Sequence, residues 1–231
     1  VDREAVKQIL LDSHWFQDLP DQVIEQMISD AKLKSYTDGQ YLYSKGDEAD
    51  GLYAILQGAV VAEINSKEGK CAVLGILEKG SWLGEISVFD DHPRPSDAVA
   101  RGNAQLLFIP RDKFQGLLDA QPQLYSHFMN QVCKRYRSAL RMLEASLIRS
   151  LPERLALRLL DLATGYSEYR VGVAGVTLSV SQEELALLAG TTRQRINQEL
   201  KIWEKAGWVS LGYGSLTIHD CEALENLLST S

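Results

Sequence analysis

The sequence is poor in cysteine and histidine, has no long apolar run, and carries too few cations to balance its acids. Its three cysteines, Cys71, Cys133 and Cys221, are scattered, and no CxxC pair occurs. No cluster of cysteines or histidines has metal-ligand spacing, so no metal site is expected. A reducing cytoplasm is the simplest setting, with Cys71 and Cys133 expected as buried apolar filler. The longest apolar runs fall far short of the roughly 20 residues of a membrane-spanning helix, so no membrane partner is expected. The opening VDREAVKQIL lacks the basic patch and apolar block of a secretory signal. Because the chain begins with Val, that reading covers only the residues present. Neither a P-loop nor a nucleophile–base pair is legible, so catalytic residues are not expected and an enzyme is disfavoured.

What remains is a chain of 231 residues, 45% apolar, with a formal net charge of -7. That is enough apolar matter for a packed core and a length suited to one large domain or two modest ones. Overall acidity argues against indiscriminate nucleic-acid binding but leaves room for a local basic element.

Three rhythms follow one another. A short helical start, roughly 3–30, includes DLPD, which resembles a helix entry. From about 33 to 109, short alternating runs such as LYAIL and VVAEI are punctuated by glycines at intervals of about ten residues, which predicts a compact all-β unit. From about 111 the glycines nearly stop. Met129, Cys133, Tyr136, Leu140, Leu143 and Leu147 recur at spacings 4-3-4-3-4, an apolar seam on a helix of about seven turns. The seam either packs on its own β-unit or meets the same helix of a second copy; the pattern favours the homodimer. The helix is expected to break near SLPE, where Ser150 caps the next helix with Glu153, and Pro152 suits a first turn. Residues 148–152 are therefore a hinge candidate, and Gly165 to Gly175 reads as a polar excursion.

The C-terminal part carries a local reversal of sign. GTTRQRINQELKIWEKAGWV holds Arg193, Arg195, Lys201 and Lys205 against Glu199 and Glu204. Ser181 opens a helix through a capping box with Glu184, Gly190 permits a sharp turn, and Thr191 or Thr192 caps a second helix. Ile196, Leu200 and Trp203 share one face of that helix, with Gln194, Asn197, Gln198 and Lys201 opposite. Amides and guanidinium groups can each satisfy two sites on a base edge, and a helix fits the major groove. GWVSLGYGSLTIHD then reads as two short strands around Gly212-Tyr213-Gly214, a hairpin suited to be a wing. The expected DNA-contacting set is Thr191, Thr192, Arg193, Gln194, Arg195, Asn197, Gln198 and Lys201.

These residues bring out a resemblance to the CRP/FNR superfamily of bacterial transcription regulators. SQEELALLAGTTRQRINQELKIWEKAGWV resembles its helix-turn-helix, YTDGQYLYSKGDEADGLYAILQGAV its β-roll opening, GEISVFDDHPRPSDA its phosphate-binding cassette, and IPRDKFQGLLDAQPQL the entry to its dimerisation helix. The resemblance implies an α+β fold: an N-terminal β-roll of double-stranded, jelly-roll-like type at 1–112, a dimerisation helix at 113–149, and a winged helix-turn-helix at 150–231. It implies a homodimer, with Met129, Cys133, Tyr136, Leu140, Leu143 and Leu147 at the interface, bound to a two-fold-related site on double-stranded DNA, often acting with RNA polymerase. In the family, bases are read chiefly by the first, second and sixth residues after the cap, here Arg193, Gln194 and Gln198. Well-known relatives carry Arg, Glu and Arg there. A Glu only accepts a hydrogen bond whereas Gln also donates, so an Arg193–guanine contact with altered preference elsewhere is expected.

The effector is less determined. The resemblance implies a small-molecule site at Gly84, Glu85, Ile86, Ser87, Arg94 and Ser96, with Glu85 placed for a ribose hydroxyl and Arg94 for a cyclic phosphate. Two departures disfavour cAMP. Pro95 has no N–H to offer the phosphate, and Ala139 and Leu140 replace the Thr-Ser pair that grips adenine in the bacterial cAMP receptor. Losing one buried charge-assisted bond costs about 1.5–3 kcal/mol, one to two decades in affinity. In the alternative, Glu85 and Arg94 pair with each other and brace an empty or differently occupied roll. An iron–sulfur cluster would need an N-terminal cysteine cluster. Haem would need an axial ligand from the dispersed His14, His92, His127 and His219, of which only His92 lies in the cassette. The cofactor is therefore unknown. The competing function is a cyclic-nucleotide-binding regulator acting on a protein partner, against which the amide-rich helix argues.

Overall fold

The computed structural model describes residues 3–13, 15–16, 18–68, 71–164 and 175–229. Two compact units make up the chain, Val1–Val132 and Cys133–Ser231.

In the first unit, α1 (Arg3–Leu11) and α2 (Asp21–Asp30) precede an antiparallel sheet. Pro20 stands immediately before α2, so the helix entry expected at DLPD is where α2 starts. The strands are β1 (Lys32–Tyr36), β2 (Tyr41–Tyr43), β3 (Gly51–Asn65), β4 (Cys71–Glu78) and β5 (Trp82–Leu83), then, after the short helix α3 (Glu85–Asp90), β6 (Asp97–Pro110). Their order is β1-β6-β3-β4, with β2 on β6 and β5 on β3. The long strands β3 and β6 pair along most of their length, with register shifts between Ile55 and Ala59. Such bulges raise local twist and let strands of this length curl.

Alternation along these strands sends side chains to two cores. Leu52, Ala54, Leu107 and Ile109 meet Val23, Met27, Phe114 and Phe128 from the helices and Phe16 from the turn between α1 and α2. Tyr53, Ile55, Leu106 and Phe108 form the second cluster, with Tyr36 and Tyr43 packed against it. Burying one large apolar side chain is worth about 1.5–3 kcal/mol, so this double lining is what holds the unit together.

The stretch expected as one dimerisation helix, 113–149, holds two helices: α4 (Arg111–Ala120) and α5 (Gln123–Ile148). Pro122 is the cause. A residue before proline is driven out of helical geometry, and Gln121 adopts φ -135 and ψ 72.

In the second unit, α5 ends at Ile148 and α6 (Leu151–Thr164) begins after a break of the kind SLPE predicts. Ser150 N–H donates to Glu153 Oε2 at 2.8 Å, and the Ser150 hydroxyl bonds the same carboxylate. There follow β7 (Val176–Leu178), α7 (Gln182–Ala189), α8 (Arg193–Lys205), β8 (Val209–Gly212), β9 (Ser215–Ile218) and α9 (Cys221–Ser229). The sheet order is β7-β9-β8. The expected wing is the β8–β9 hairpin; β7 and α9 add to it. Most of the excursion read at Gly165 to Gly175 lies outside the described residues.

Candidate nucleic-acid interface and effector pocket

Local chemistry fixes the two helices before any packing does. Glu184 N–H donates to Ser181 Oγ at 3.2 Å, and Ser181 N–H donates to the Glu184 carboxylate at 2.7 Å, completing the expected box. Gly190 ends α7 at φ 63, a left-handed geometry that suits glycine. Of the two candidate caps, Thr192 is the one used: Arg195 N–H donates to its Oγ1 at 3.4 Å. Thr191 N–H instead donates back to Ala186 O at 2.9 Å, closing the turn.

With the cap at Thr192, the sides of α8 separate. Ile196 and Leu200 are fully buried and Trp203 nearly so. Thr192, Arg193, Gln194, Arg195, Gln198 and Lys201 are exposed, while Thr191 and Asn197 are half-buried. Asn197 differs from its neighbours because its Oδ1 accepts from Gln182 Nε2 at 3.4 Å. Of the two acids on α8, Glu199 is half-buried. The Glu204 carboxylate accepts from Leu211 N–H of β8 at 3.1 Å, and the two acids are outnumbered by Arg193, Arg195, Lys201 and Lys205, so α8 carries a net positive charge.

The hairpin is tied to the end of α8. Trp208 N–H donates to Trp203 O at 2.9 Å, and Trp208 O accepts from His219 N–H at 2.8 Å. At its tip Tyr213 is wholly exposed. An open groove of about 420 Å³ runs between the hairpin and the starts of α7 and α8, lined in part by Gln182, Glu183, Arg193, Tyr213 and Ser215. Tyr213 and Gln182, which line this groove, lie outside the expected contact set, although the Gly-Tyr-Gly turn is legible in the sequence.

In the first unit, Gly84 has φ 94 and precedes α3, and a side chain there would strike Arg94 Nη1. Glu85 and Ser87 are buried, Ser96 is buried close by in sequence, and Ile86 is exposed. Ser87 Oγ donates to Pro93 O at 3.3 Å. Arg94 is 1% exposed. Its Nη1 donates to Gly84 O at 2.8 Å, and its Nη2 to Asp50 Oδ1 and Gly51 O, each at 2.7 Å. Tyr43 covers one face of the guanidinium at 4.2 Å. The Asp50 carboxylate thus pairs with Arg94 at 2.7 Å. Asp50 Oδ2 also accepts from the Tyr53 hydroxyl at 2.7 Å and lies 3.7 Å from Lys34 Nζ. Lys34 in turn sits 3.5 Å over the Phe108 ring. Burial, followed by the neighbouring Asp50, drives the Tyr53 hydroxyl far above the usual tyrosine range. Burial lowers Lys34 despite Asp50.

The described histidines all have local partners. His92 Nδ1 lies 2.7 Å from Asp90 O, His127 Nε2 is 2.6 Å from Trp15 O, and His219 Nε2 is 2.9 Å from Ser210 Oγ. His14 lies outside the described residues. Among the described residues no group of three or more His, Cys, Asp or Glu is placed to hold a metal ion. No described helix is long and apolar enough to cross a membrane.

On α5, Met129, Tyr136, Leu140, Leu143 and Leu147 are exposed, as is Ile148 beyond them. Ala139 is exposed beside Leu140. Cys133 is exposed on the same seam and Cys71 is exposed at the start of β4, so neither is the buried filler expected of it. Cys71 Sγ lies 3.5 Å from Glu63 Oε2.

A β-roll followed by two capped helices and a wing defines a helix-turn-helix transcription regulator with a sensor-type roll. Residues 33–121 match the cyclic nucleotide-binding domain and residues 153–227 the Crp-like helix-turn-helix domain. The CRP-like cAMP-activated global transcriptional regulator of Mycobacterium tuberculosis is 27% identical over 94% of this chain and 97% of its own. The crystal structure of Thermus thermophilus catabolite activator protein superposes with a TM-score of 0.52 at 26% identity, covering 93% of this chain and 98% of that one. The c-di-GMP responsive global regulator CLP of Xanthomonas campestris shares the fold, with a TM-score of 0.66 at 22% identity over 87% of this chain and 100% of that one. The chain belongs to the CRP/FNR family of transcription regulators.

Proposed function

We propose that the protein binds double-stranded DNA as a homodimer, placing one α8 in the major groove of each half of a two-fold-related site. The observation that carries this is the division of α8. Its apolar side is wholly buried, and Arg193, Gln194, Gln198 and Lys201 stand free on the other. Arg193 suits a guanine edge, Gln194 and Gln198 suit bases that both donate and accept, and Lys201 suits phosphate. The second copy covers the exposed stripe of α5, since a continuous apolar face of that length is unusual in a monomer. On this reading residues 1–112 sense, 113–149 assemble and 150–231 bind DNA, in the cytoplasm and together with RNA polymerase.

The roll takes a small effector other than cAMP. Arg94 is already held by Asp50 and two carbonyls. Pro95 offers no N–H, and Ala139 and Leu140 offer no polar side chain to an adenine. Glu85 and Arg94 are present, so the case against cAMP rests on Pro95, Ala139 and Leu140.

Selection of bound duplexes from a randomised pool tests the DNA reading. Enrichment of inverted half-sites about one helical turn apart is expected. Retention of no duplex at low salt would end it.

A further inference from the structure

Within the second unit, the break between α5 and α6 is spanned by one side chain. Arg149 follows directly on α5, its N–H closing the last turn on Ala145 O at 3.1 Å, and its side chain is 21% exposed. The guanidinium serves three helices. Its Nη2 donates to Glu144 Oε1 of α5 at 3.3 Å, and its Nη1 to Glu153 Oε1 of α6 at 3.4 Å. Nη1 also donates to Leu228 O, in the last turn of α9, at 3.0 Å. The last carbonyls of a helix have no partner within it, and a cation there also meets the negative end of the helix dipole.

A further bond carries the hold onward. Arg149 O accepts from Arg154 Nη1 at 3.0 Å, and Arg154 Nε donates to Ala189 O at 3.3 Å. Ala189 ends α7, directly before the Gly190 turn that leads into α8. The break is thus tied to α9 on one side and to the helix-turn-helix on the other. Bending the chain at 148–152 moves Glu144 away from Glu153 and Leu228, so it has to undo part of this set. A forked guanidinium can hold partners on three helices at once, whereas an ammonium is a point charge.

We propose that Arg149 is a latch that fastens the α5–α6 hinge to the C-terminal helix α9, and so sets which half-site spacing the protein accepts. With α5 assembling the dimer, the angle at the hinge fixes how far apart the two α8 helices stand, and a mis-spaced duplex is bound only once the latch opens. The spacing consequence rests on the DNA-binding reading above; the latch does not.

Hydrogen exchange of the full chain tests the latch. In Arg149→Ala, peptides covering 142–153 and 221–229 are both expected to exchange about tenfold faster, the lower value for a hydrogen bond to a charged group. Arg149→Lys, which keeps the charge but not the fork, is expected to share most of this loss. Faster exchange in only one of the two segments, or in neither, overturns the proposal, as does a lysine variant that matches the wild type. Should Arg149→Ala not fold, Glu144→Ala decides instead, since that carboxylate is half-exposed. It is expected to speed exchange in both segments about twofold or more, and an unchanged α9 overturns the latch. Duplexes carrying the selected half-sites at the preferred spacing, and about one base pair to either side of it, test the consequence. Discrimination between spacings is expected to fall about tenfold in Arg149→Ala, the factor by which the latch is weakened. Equal discrimination in both proteins overturns the spacing consequence. Binding of no duplex by either overturns the DNA reading instead, and the exchange result still decides the latch.

Discussion

Asp50 and Arg94, 44 residues apart, form an ion pair of 2.7 Å in which the guanidinium side chain has 0% exposure and the carboxylate 48%. The asymmetry assigns the roles. The arginine depends on its partner because it has no water to fall back on, whereas the aspartate remains half-solvated. Asp50→Ala is expected to destabilise the N-terminal unit by about 2–3 kcal/mol. This lies below the usual figure for a broken buried pair because one member is half-exposed. Denaturant unfolding followed by tryptophan fluorescence in a Trp203→Phe, Trp208→Phe background, which leaves Trp15 and Trp82 of the N-terminal unit, checks this; a loss under about 0.5 kcal/mol, the scale of an ordinary surface substitution, would show that the pair does not brace the roll.

The same pair leads to a ligand prediction. Millimolar cAMP is expected to leave the melting temperature of the wild-type protein unchanged, because Arg94 Nη2 is already held by Asp50 and Gly51 O and Pro95 has no N–H to add to a phosphate. A saturable upward shift in a thermal scan would refute this.

On α8, replacements should separate by whether a side chain meets a base or a phosphate. Arg193→Ala is expected to cost about 1–3 kcal/mol on the selected duplex and to relax preference at one base pair of each half-site. Lys201→Ala should weaken all duplexes alike and reduce the slope of log affinity against log salt by about one for each phosphate no longer neutralised. Fluorescence anisotropy across a salt series distinguishes the two.

Tyr213 projects from the hairpin without packing on anything, so Tyr213→Ala should leave unfolding unaltered. Its loss is expected to reduce duplex affinity by about 1 kcal/mol, the net worth of one hydrogen bond, with base preference unchanged. An altered preference in the duplex selection would mean that it reads bases instead.

Leu143, exposed in the middle of the α5 stripe, is the place to test assembly. Leu143→Asp puts a charge where two apolar faces are expected to meet. Sedimentation should then show a monomer of unchanged secondary structure, and a dimer that survives the substitution would place the interface elsewhere.

The parts of this molecule legible in the sequence are those governed by neighbours along the chain. The Ser181–Glu184 box, the Gly190 turn and the Ile196–Leu200–Trp203 face each rest on residues a few positions apart. So does the break after Ile148, with Ser150 and Glu153 as its cap. What escaped depends on distant partners. Asp50 had no local sign of being the counterion of Arg94, and β7 is too short to announce itself before it pairs with β9. The exposure of Cys71 and Cys133 depends on which side of a strand or helix meets the core. Residue type says little about that. Pro122 is the exception: its signal is in the sequence, but the resemblance starts the dimerisation helix at 113, ahead of the residue that divides α4 from α5, whereas the seam itself begins only at Met129.

Glu204 joins the last turn of α8 to β8 through Leu211 N–H, and Trp208 joins the same turn to the far side of the hairpin. Helix and hairpin are thereby cast as a single piece. If α8 reads bases and the hairpin touches the backbone beside them, as proposed, the distance along a duplex between the two is fixed for each subunit. A signal acting on such an assembly would then change how far apart its two copies stand, but not the word either one spells.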